Sequence, residues 1–413
     1  MLRLSSLVRA PVRDGTDRET RLVDLAVDLS SGDYPLVAEL LVPGDQGTVC
    51  ALSGPIVVAP MGALTVPKVM AGEPLSDDAL ARKVLLARDV LDALVLDLDG
   101  QRAVRANDLW LRQTPHGLEV AGVDVSPWAV ICRLSRGRLG WGREIDMLDW
   151  RAVEFLRGDP GAPAAGHAYH RRVAGLPPLQ LAHLTDALPY LHAAEMLTLL
   201  PDALAADVLE HMQPERQVQI VGELDPACAA RLLAEMAPDA AADLLGRLDL
   251  ADATHLLEQV PPERAEPIQD LLRYPPDSAG GIMTNEIVTA PVGLSASEVL
   301  THVRPQLARP DFVYFVYLVE DEQSCRLAGV TTLRDLHVAD RDAPVEEVMR
   351  TDLVTVTPLR SAVEAAHLAS DQGLNAIPVV DTDGTLLGII TIDKAMVQLV
   401  PEAWRDNLPR IFS

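Results

Sequence analysis

Apolar and polar positions follow three different patterns along this chain, and the most regular pattern lies between residues 201 and 283. Units of about twelve residues there place apolar side chains at helical spacing, such as Ala241, Leu244 and Leu248. Proline opens most units, and it is favoured at a first helical position because its missing N–H costs nothing there. The units begin at Pro201, Pro214, Pro226, Pro238, Leu250 and Pro262. One short helix cannot bury its apolar stripe alone, so the pattern predicts an α-helical superhelical repeat domain over residues 176–275.

Residues 1–150 show short apolar runs of strand length separated by turn residues. Hairpin-type turns are predicted at 97–100, which reads Asp-Leu-Asp-Gly, and at 116–117, which reads His-Gly. Short strands at this spacing predict a small β-barrel, and its two related halves would span 1–72 and 83–140. Residues 151–175 are rich in glycine, proline and alanine, which is typical of a linker.

After residue 284 strand-like runs alternate with helical ones. Runs at 287–289, 312–319 and 327–335 are followed by a second set at 353–357, 375–384 and 386–391. A helix is predicted at about 361–370. The pattern predicts two β-α-β-β-α units, at about 284–340 and 345–400, within a domain pair over 276–400 and before a tail at 401–413. The expected fold class is multidomain α+β.

Charge limits the classes of partner. The net charge is −25, and residues 176–283 alone carry 18 acidic and 5 basic side chains. Such acidity repels nucleic acid phosphates, so no nucleic acid partner is expected. It suits cation binding, or serves solubility alone.

The sequence also indicates a compartment and argues against catalysis. The four cysteines are isolated, which favours free thiols in a reducing cytoplasm over a zinc site. No run of about twenty apolar residues predicts a membrane span. There is no HExxH motif, GxSxG elbow or Walker-type loop, so we do not expect an enzyme.

Three features together resemble a known family. They are the acidic repeat, the segment YPPDSAGGIMT at 274–284, and the tandem units ending in GVTTLRD (329–335) and GIITID (388–393). Together they are similar to the cytosolic region of MgtE-type magnesium transporters, a helical N domain joined to a CBS pair, over residues 176–400. The run ARDVLDALVLDLDGQRAVRANDLWL, which ends at residue 111, resembles the PRC-barrel, an adaptor module. The chain therefore resembles such a region preceded by a PRC-barrel-like region and lacking the transmembrane domain.

The resemblance implies Mg²⁺ as a ligand, with site residues Asp239, Asp243, Asp277 and Gly281. Asp239 and Asp243 share one helical face by their i,i+4 spacing. The alternative is that this acidic face is simply solvated.

Several CBS positions depart from the family pattern. Leu359, Arg360 and Ser361 stand where acids are usual, and Asp393-Lys394 replaces paired acids after the last strand. These departures predict that several Mg²⁺ ligands of the CBS pair are absent.

CBS clefts commonly bind adenine nucleotides, and the resemblance implies a site for ATP or AMP at Thr332, Asp335, Val330 and Pro378. The acid of the Thr-x-x-Asp element would hold the ribose hydroxyls. The alternative is that Thr332 and Asp335 merely cap the helix that starts there.

These observations predict a cytoplasmic, non-enzymatic sensor or adaptor, with peripheral association at the membrane's inner face left open. It would form homodimers through the CBS pair and regulate cation transport in trans, through a separate membrane transport protein. A ligand would shift the population between open and closed arrangements of the helical domain and the CBS pair. The alternatives are an adenine-nucleotide sensor and a structural adaptor whose CBS pair binds nothing.

Overall fold

The computed structural model describes residues 1–13, 19–28, 32–44, 48–59, 63–66, 73–134, 146–155, 173, 175–308, 310 and 313–400. Most of the predicted linker at 151–175 and the whole tail at 401–413 lie outside these residues. The chain divides into two compact units, residues 1–208 and 209–413.

Short strands dominate the first 155 residues. The strands are β1 (Leu2–Arg3), β2 (Pro11–Arg13), β3 (Glu19–Arg21), β4 (Asp24–Asp28), β5 (Leu36–Pro43), β6 (Val49–Ser53), β7 (Val57–Val58), β8 (Leu64–Thr65), β9 (Glu73–Leu75), β10 (Val84–Leu85), β11 (Leu94–Asp97), β12 (Arg102–Arg105), β13 (Asp108–Thr114), β14 (Gly117–Asp124), β15 (Met147–Asp149) and β16 (Val153–Phe155). The helices are α1 (Leu4–Leu7), α2 (Asp77–Ala81), α3 (Pro127–Leu134) and a π-helical turn at Leu86–Val90. Both predicted turns are present, since β11 pairs with β12 and β13 with β14 as hairpins.

The two predicted halves of this region exchange their first strands. Strand β1 pairs with β13 of the second half, whereas β10 pairs with β4 of the first half. The segments that follow β1 and β10 are capped in the same reciprocal way. Asp108 of β13 accepts hydrogen bonds from the Ser5 backbone N–H (3.1 Å) and hydroxyl. Asp24 of β4 accepts hydrogen bonds from the backbone N–H groups of Ala87 (2.7 Å) and Arg88 (2.9 Å).

The prediction of a closed PRC-like barrel is not confirmed. Strands β1, β13, β14, β5, β4 and β10 form an open path within a nine-stranded sheet, to which β6, β9 and β15 also belong. Two smaller sheets have the orders β12-β11-β16 and β3-β2-β8-β7. In the described residues no sheet closes on itself. Strands β1 and β10 instead pair across the halves, and one apolar core contains residues from both, among them Leu4, Leu25, Leu86 and Leu109.

Helices replace strands from residue 178 onward. They are α4 (Pro178–Asp186), α5 (Tyr190–Leu199), α6 (Asp202–His211), α7 (Pro214–Glu223), α8 (Pro226–Glu235), α9 (Pro238–Leu245), α10 (Leu250–Leu257) and α11 (Pro262–Leu272). Five of the six units predicted from residue 201 begin at the residue named, and α6 begins one residue after Pro201. Helix α9 contacts α7 and α11, and α8 contacts α10. Among helices α7 to α11, packing is thus against the second neighbour, as expected for a stacked repeat.

The last part of the chain alternates strands and helices, in the predicted order. Its strands are β17 (Thr289–Pro291), β18 (Val316–Val319), β19 (Leu327–Thr331), β20 (Ala376–Val380) and β21 (Leu386–Thr391). Its helices are α12 (Ala296–Val303), α13 (Leu333–Val338), α14 (Val345–Val348), α15 (Ala362–Gln372) and α16 (Ile392–Leu399). The run predicted as a strand at 353–357 makes only one parallel bridge, between Val356 and Val379. Within the described residues, no helix is both long and apolar enough to cross a membrane.

Candidate functional site

Two carboxylates of the helical repeat, Asp239 and Asp243, form what we call the acidic pair. They lie on α9, whose opposite face buries Ala241, Leu244 and Leu245. The i,i+4 spacing puts both carboxylates on one side of the helix, where like charges destabilise each other. The Asp239 side chain is 12% exposed and that of Asp243 is 52% exposed. The acidic pair therefore needs a nearby positive charge more than an ordinary surface pair does.

A lysine of the second CBS-like repeat supplies that charge. Helix α16 starts directly after β21, and Lys394 is in its first turn. The Lys394 Nζ atom lies 3.0 Å from Asp239 Oδ2 and 3.7 Å from Asp243 Oδ2. These ion pairs join the helical repeat to the last repeat within one compact unit. The acidic pair is thus a cation site whose cation belongs to the protein.

The surroundings of Asp243 disfavour its charged form. Desolvation raises the pKa of the Asp243 carboxyl, and the neighbouring Asp239 carboxylate acts in the same direction. The ammonium of Lys394 and the guanidinium of Arg247 oppose this rise. Lys394 therefore compensates only part of the cost of holding the second carboxylate here.

The other two residues predicted to bind metal have structural roles. The Asp277 side chain is exposed, while its backbone carbonyl accepts a hydrogen bond from the N–H of Ala362 at the start of α15 (2.8 Å). A Cβ atom on Gly281 would lie 2.1 Å from the Pro275 carbonyl oxygen, so only glycine fits there. Among the residues that the structure describes, no three His, Cys, Asp or Glu side chains form a group able to hold a metal.

The segment at 274–284, which we call the strap, is hydrogen-bonded to the second CBS-like repeat. The Ala279 and Gly280 N–H groups donate to the carbonyls of Arg360 (2.7 Å) and Pro358 (2.8 Å). Thr284 and Ile389 exchange two backbone hydrogen bonds, of 2.8 and 2.9 Å. The strap therefore fixes the position of the end of α11 relative to β21, the strand that precedes Lys394.

A second ion pair lies at the same junction. The Arg264 side chain donates to the carbonyls of Ala234 (2.5 Å) and Met236 (2.8 Å), at the end of α8. Its Nη1 atom lies 3.6 Å from Glu286 Oε1, which precedes the first CBS-like strand. Because Arg264 is held by two carbonyls, its charge has a fixed position facing Glu286.

The predicted nucleotide residues lie on the two CBS-like repeats. Thr332 is the N-cap of α13, and its hydroxyl accepts a hydrogen bond from the Asp335 N–H (3.0 Å). Val330 is on β19 and Pro378 is buried on β20. The capping alternative is therefore present in the structure, which leaves the carboxylate of Asp335 with no role in the cap.

Tyr317 marks the seam between the two repeats. It is 2% exposed and packs with Ala376, Leu386 and Ile389 of the second repeat and with Val330 of the first. Its hydroxyl is buried without a hydrogen-bond partner, and burial raises its pKa. A buried hydroxyl without a partner is costly to the folded state.

Sequence reasoning missed the roles of Lys394, Arg264 and Tyr317. Lys394 was noticed as a departure from the family pattern, but its partners on α9 were not foreseen. One signal was available, because the chain contains only three lysines among 35 basic residues.

Comparisons with known proteins agree with this organisation. Residues 176–277 match the MgtE intracellular N domain, and residues 345–399 match the CBS domain. The magnesium transporter MgtE of Thermus thermophilus is 36% identical over 233 residues, which are 55% of this chain and 51% of the transporter. This chain thus spans about half the length of that curated relative.

Two solved structures show the same likeness. The cytosolic domain of the Mg²⁺ channel MgtE in complex with ATP has a TM-score of 0.52 and 36% identity, and the match covers 55% of this chain and 93% of that one. The soluble part of a magnesium transporter has a TM-score of 0.52 and 27% identity, with 58% and 92% covered. The resemblance to the cytosolic region of MgtE-type transporters is confirmed, whereas the PRC-barrel is not.

Proposed function

We propose, from the similarity of this chain to the cytosolic region of MgtE-type magnesium transporters, that it is a regulatory protein of magnesium homeostasis. It acts in trans on a separate membrane transport protein and works in the cytoplasm, at times peripheral to the membrane. The observation that supports this most is that one compact unit joins an MgtE-type helical repeat to a CBS pair through defined ionic contacts. We propose a regulatory role and no catalytic one, because MgtE cytosolic domains and CBS domains are regulatory.

The regulatory step is a population shift between docked and undocked arrangements of these two parts. A ligand drives such a shift only through different affinities for the two arrangements. Deleting this chain from its host, followed by a step from low to high external Mg²⁺, tests the role in transport. We expect the intracellular Mg²⁺ level after the step to change and to be restored by the full chain. An unchanged level in the deletion strain contradicts the proposal.

Mg²⁺ is the first ligand to test, because the relatives are magnesium transporters and channels by name. The acidic pair does not fit this ion as it stands. Mg²⁺ binds oxygen ligands at about 2.0–2.1 Å in octahedral geometry, and the Lys394 ammonium already lies 3.0 Å from Asp239 Oδ2. A Mg²⁺ response of the wild-type protein has to use other oxygen ligands. The proposed ligand roles of Asp277 and Gly281 rest on the resemblance alone.

An adenine nucleotide is the second candidate ligand, because the similar cytosolic domain of MgtE was solved in complex with ATP, and the seam between the two CBS-like repeats is the candidate site. We propose that ATP or AMP binds at this seam, with Thr332, Asp335, Val330 and Pro378 around it. Calorimetric titration of the full chain with ATP and AMP tests this site. Asp335→Ala should weaken binding about tenfold, the value of a hydrogen bond to a charged group. Asp342→Ala, which removes an equally negative but exposed side chain of the same repeat, should leave the affinity unchanged. Equal affinities for the wild-type protein and Asp335→Ala argue against the site.

We further propose a homodimer formed through the CBS pair. Packed helices α15 and α16 and the turn before α15 expose apolar side chains, including Leu359 (73%), Val363 (44%) and Met396 (48%). Light scattering on the full chain should give twice the chain mass of 44.6 kDa. The adaptor role of residues 1–150 stays a prediction from the resemblance to the PRC-barrel.

A further inference from the structure

The contact between α9 and α16 holds the helical repeat against the second CBS-like repeat in the second unit. Lys394 reaches from the last repeat to both carboxylates of the acidic pair, at 3.0 and 3.7 Å. The Lys394 side chain is 34% exposed and that of Asp239 is 12% exposed. Ion pairs that are partly withdrawn from water are screened less by salt than surface pairs.

The basic residue at position 394 is a lysine and not an arginine, and this choice fits its contacts. This chain uses arginine for 32 of its 35 basic side chains, yet a lysine stands at this point. An ammonium group is a compact point charge with three rotatable donors, whereas a guanidinium is a larger planar fork with fixed donor directions. Two carboxylate oxygens on one helical face, at 3.0 and 3.7 Å from a single nitrogen, suit the compact charge.

We propose that Lys394 is a built-in cation that docks the second CBS-like repeat on α9 without any divalent ion. The ammonium takes the place that a dissolved cation would otherwise occupy between the acidic pair and α16. Docking at this junction is therefore independent of free Mg²⁺, and the ligand that opens or closes it acts elsewhere. This inference does not depend on the proposed role in transport.

The Arg264–Glu286 contact supports the same reading. It places a second positive side chain of the protein at the junction, held by the carbonyls of Ala234 and Met236. In one contact the cation comes from the CBS-like repeat, and in the other it comes from the helical repeat. Each side of the junction thus supplies a positively charged side chain to an acidic residue on the other side.

Hydrogen exchange of the full chain, followed by mass spectrometry in EDTA, tests the proposal. The readout is the protection of peptides from α9 and α16, because local exchange rates report local opening. The wild-type protein should keep its protection in EDTA. Lys394→Met keeps an unbranched side chain one atom shorter but removes its charge, and it leaves the Asp239 and Asp243 carboxylates without the Lys394 ammonium. We expect exchange in both helices to become about tenfold faster, since breaking a partly buried ion pair costs more than losing a surface one.

The matched control is Glu364→Gln, which removes the exposed Arg360–Glu364 pair on α15 and no contact with α9. It should exchange like the wild type. Lys394→Arg keeps the charge and should recover only part of the protection. Two results would overturn the proposal: loss of protection in the wild-type protein on adding EDTA, or full protection in Lys394→Met. Neither result bears on whether the chain regulates transport, which the deletion experiment decides.

Discussion

Each unit of this protein holds two aspartates that need compensating partners, and the two units supply those partners differently. In the first unit, Asp24 and Asp108 are 4% and 0% exposed, and most of their partners are backbone N–H groups. In the second unit, Asp239 and Asp243 are met by the side-chain cation of Lys394. Backbone N–H donors keep their positions as long as the fold is intact. A side-chain cation on another repeat can move away while both repeats stay folded.

This difference separates a structural use of carboxylates from a switchable one. A carboxylate that caps backbone groups cannot lose its partners without local unfolding. A carboxylate that faces a side chain on another repeat can lose its partner while both repeats stay folded. The comparison therefore predicts large stability effects in the first unit and smaller effects on docking in the second.

The largest expected effect comes from removing a cap in the first unit. Asp108→Ala leaves the N–H and hydroxyl of Ser5 and the N–H of Leu109 without their acceptor in a buried site. We expect the free energy of unfolding of this unit to fall by about 3 kcal/mol, since each unsatisfied buried group costs about 1–3 kcal/mol. Denaturant unfolding followed by tryptophan fluorescence measures it, because four of the five tryptophans lie before residue 209.

The reciprocal variant tests whether the two halves are equivalent. Asp24→Ala removes the acceptor of Leu25, Ala87 and Arg88 and should cost a similar amount. A loss for only one of the two variants would show that the exchange of first strands is not energetically symmetric. Neither Asp108→Ala nor Asp24→Ala should change the rate of hydrogen exchange in α9 and α16.

The pH dependence of the first unit follows from the same two groups. Burial raises the pKa of both Asp24 and Asp108, although the hydrogen bonds they accept oppose the rise. The folded unit therefore binds protons more readily than the unfolded chain. The stability from these groups is fully present below the ordinary value of 3.8 and is lost as pH rises through the raised pKa. The difference in stability between Asp108→Asn and the wild type should thus change across that window, and a constant difference would contradict the burial argument.

Local periodicity was sufficient to predict the helices, and it could not predict the partners of these aspartates. The twelve-residue repeat predicts the starts of α7 to α11, four of them at a proline, because helix signals act within a few residues. The pairing of β1 with β13 joins residues more than a hundred positions apart, and nothing local encodes it. For the same reason the resemblance and the i,i+4 spacing indicate the acidic pair, whereas the sequence shows Lys394 only as a departure from the family's paired acids. Gly281 was taken for a site residue, although a close approach of the Pro275 carbonyl requires it.

A smaller effect is expected from neutralising the better-buried member of the acidic pair. Asp239→Asn removes the 3.0 Å contact and leaves Lys394 with a carboxylate at 3.7 Å. We expect docking to weaken by about 1–2 kcal/mol, between the values for exposed and buried ion pairs. Exchange of α16 in EDTA measures this loss. A double-mutant cycle with Lys394→Met should show that the two losses do not add, because both remove the same contact.

The smallest effect, of opposite sign, is expected at Asp243. Desolvation and the Asp239 carboxylate raise the pKa of this carboxyl despite Lys394, so its charged form is disfavoured in the folded unit. Its contribution to the stability of the folded unit is fully present below pH 3.8 and is lost as pH rises through the raised pKa. Asp243→Asn removes this penalty, so at neutral pH the variant should dock as well as the wild type or better, by no more than about 0.5 kcal/mol for a half-exposed group. Exchange of α9 measured from neutral pH down to 3.8 checks the sign, because the advantage of the variant should shrink as the wild-type carboxyl takes up its proton. If Asp243→Asn instead weakens docking as much as Asp239→Asn, Lys394 depends equally on both carboxylates and the unequal distances carry no energetic meaning.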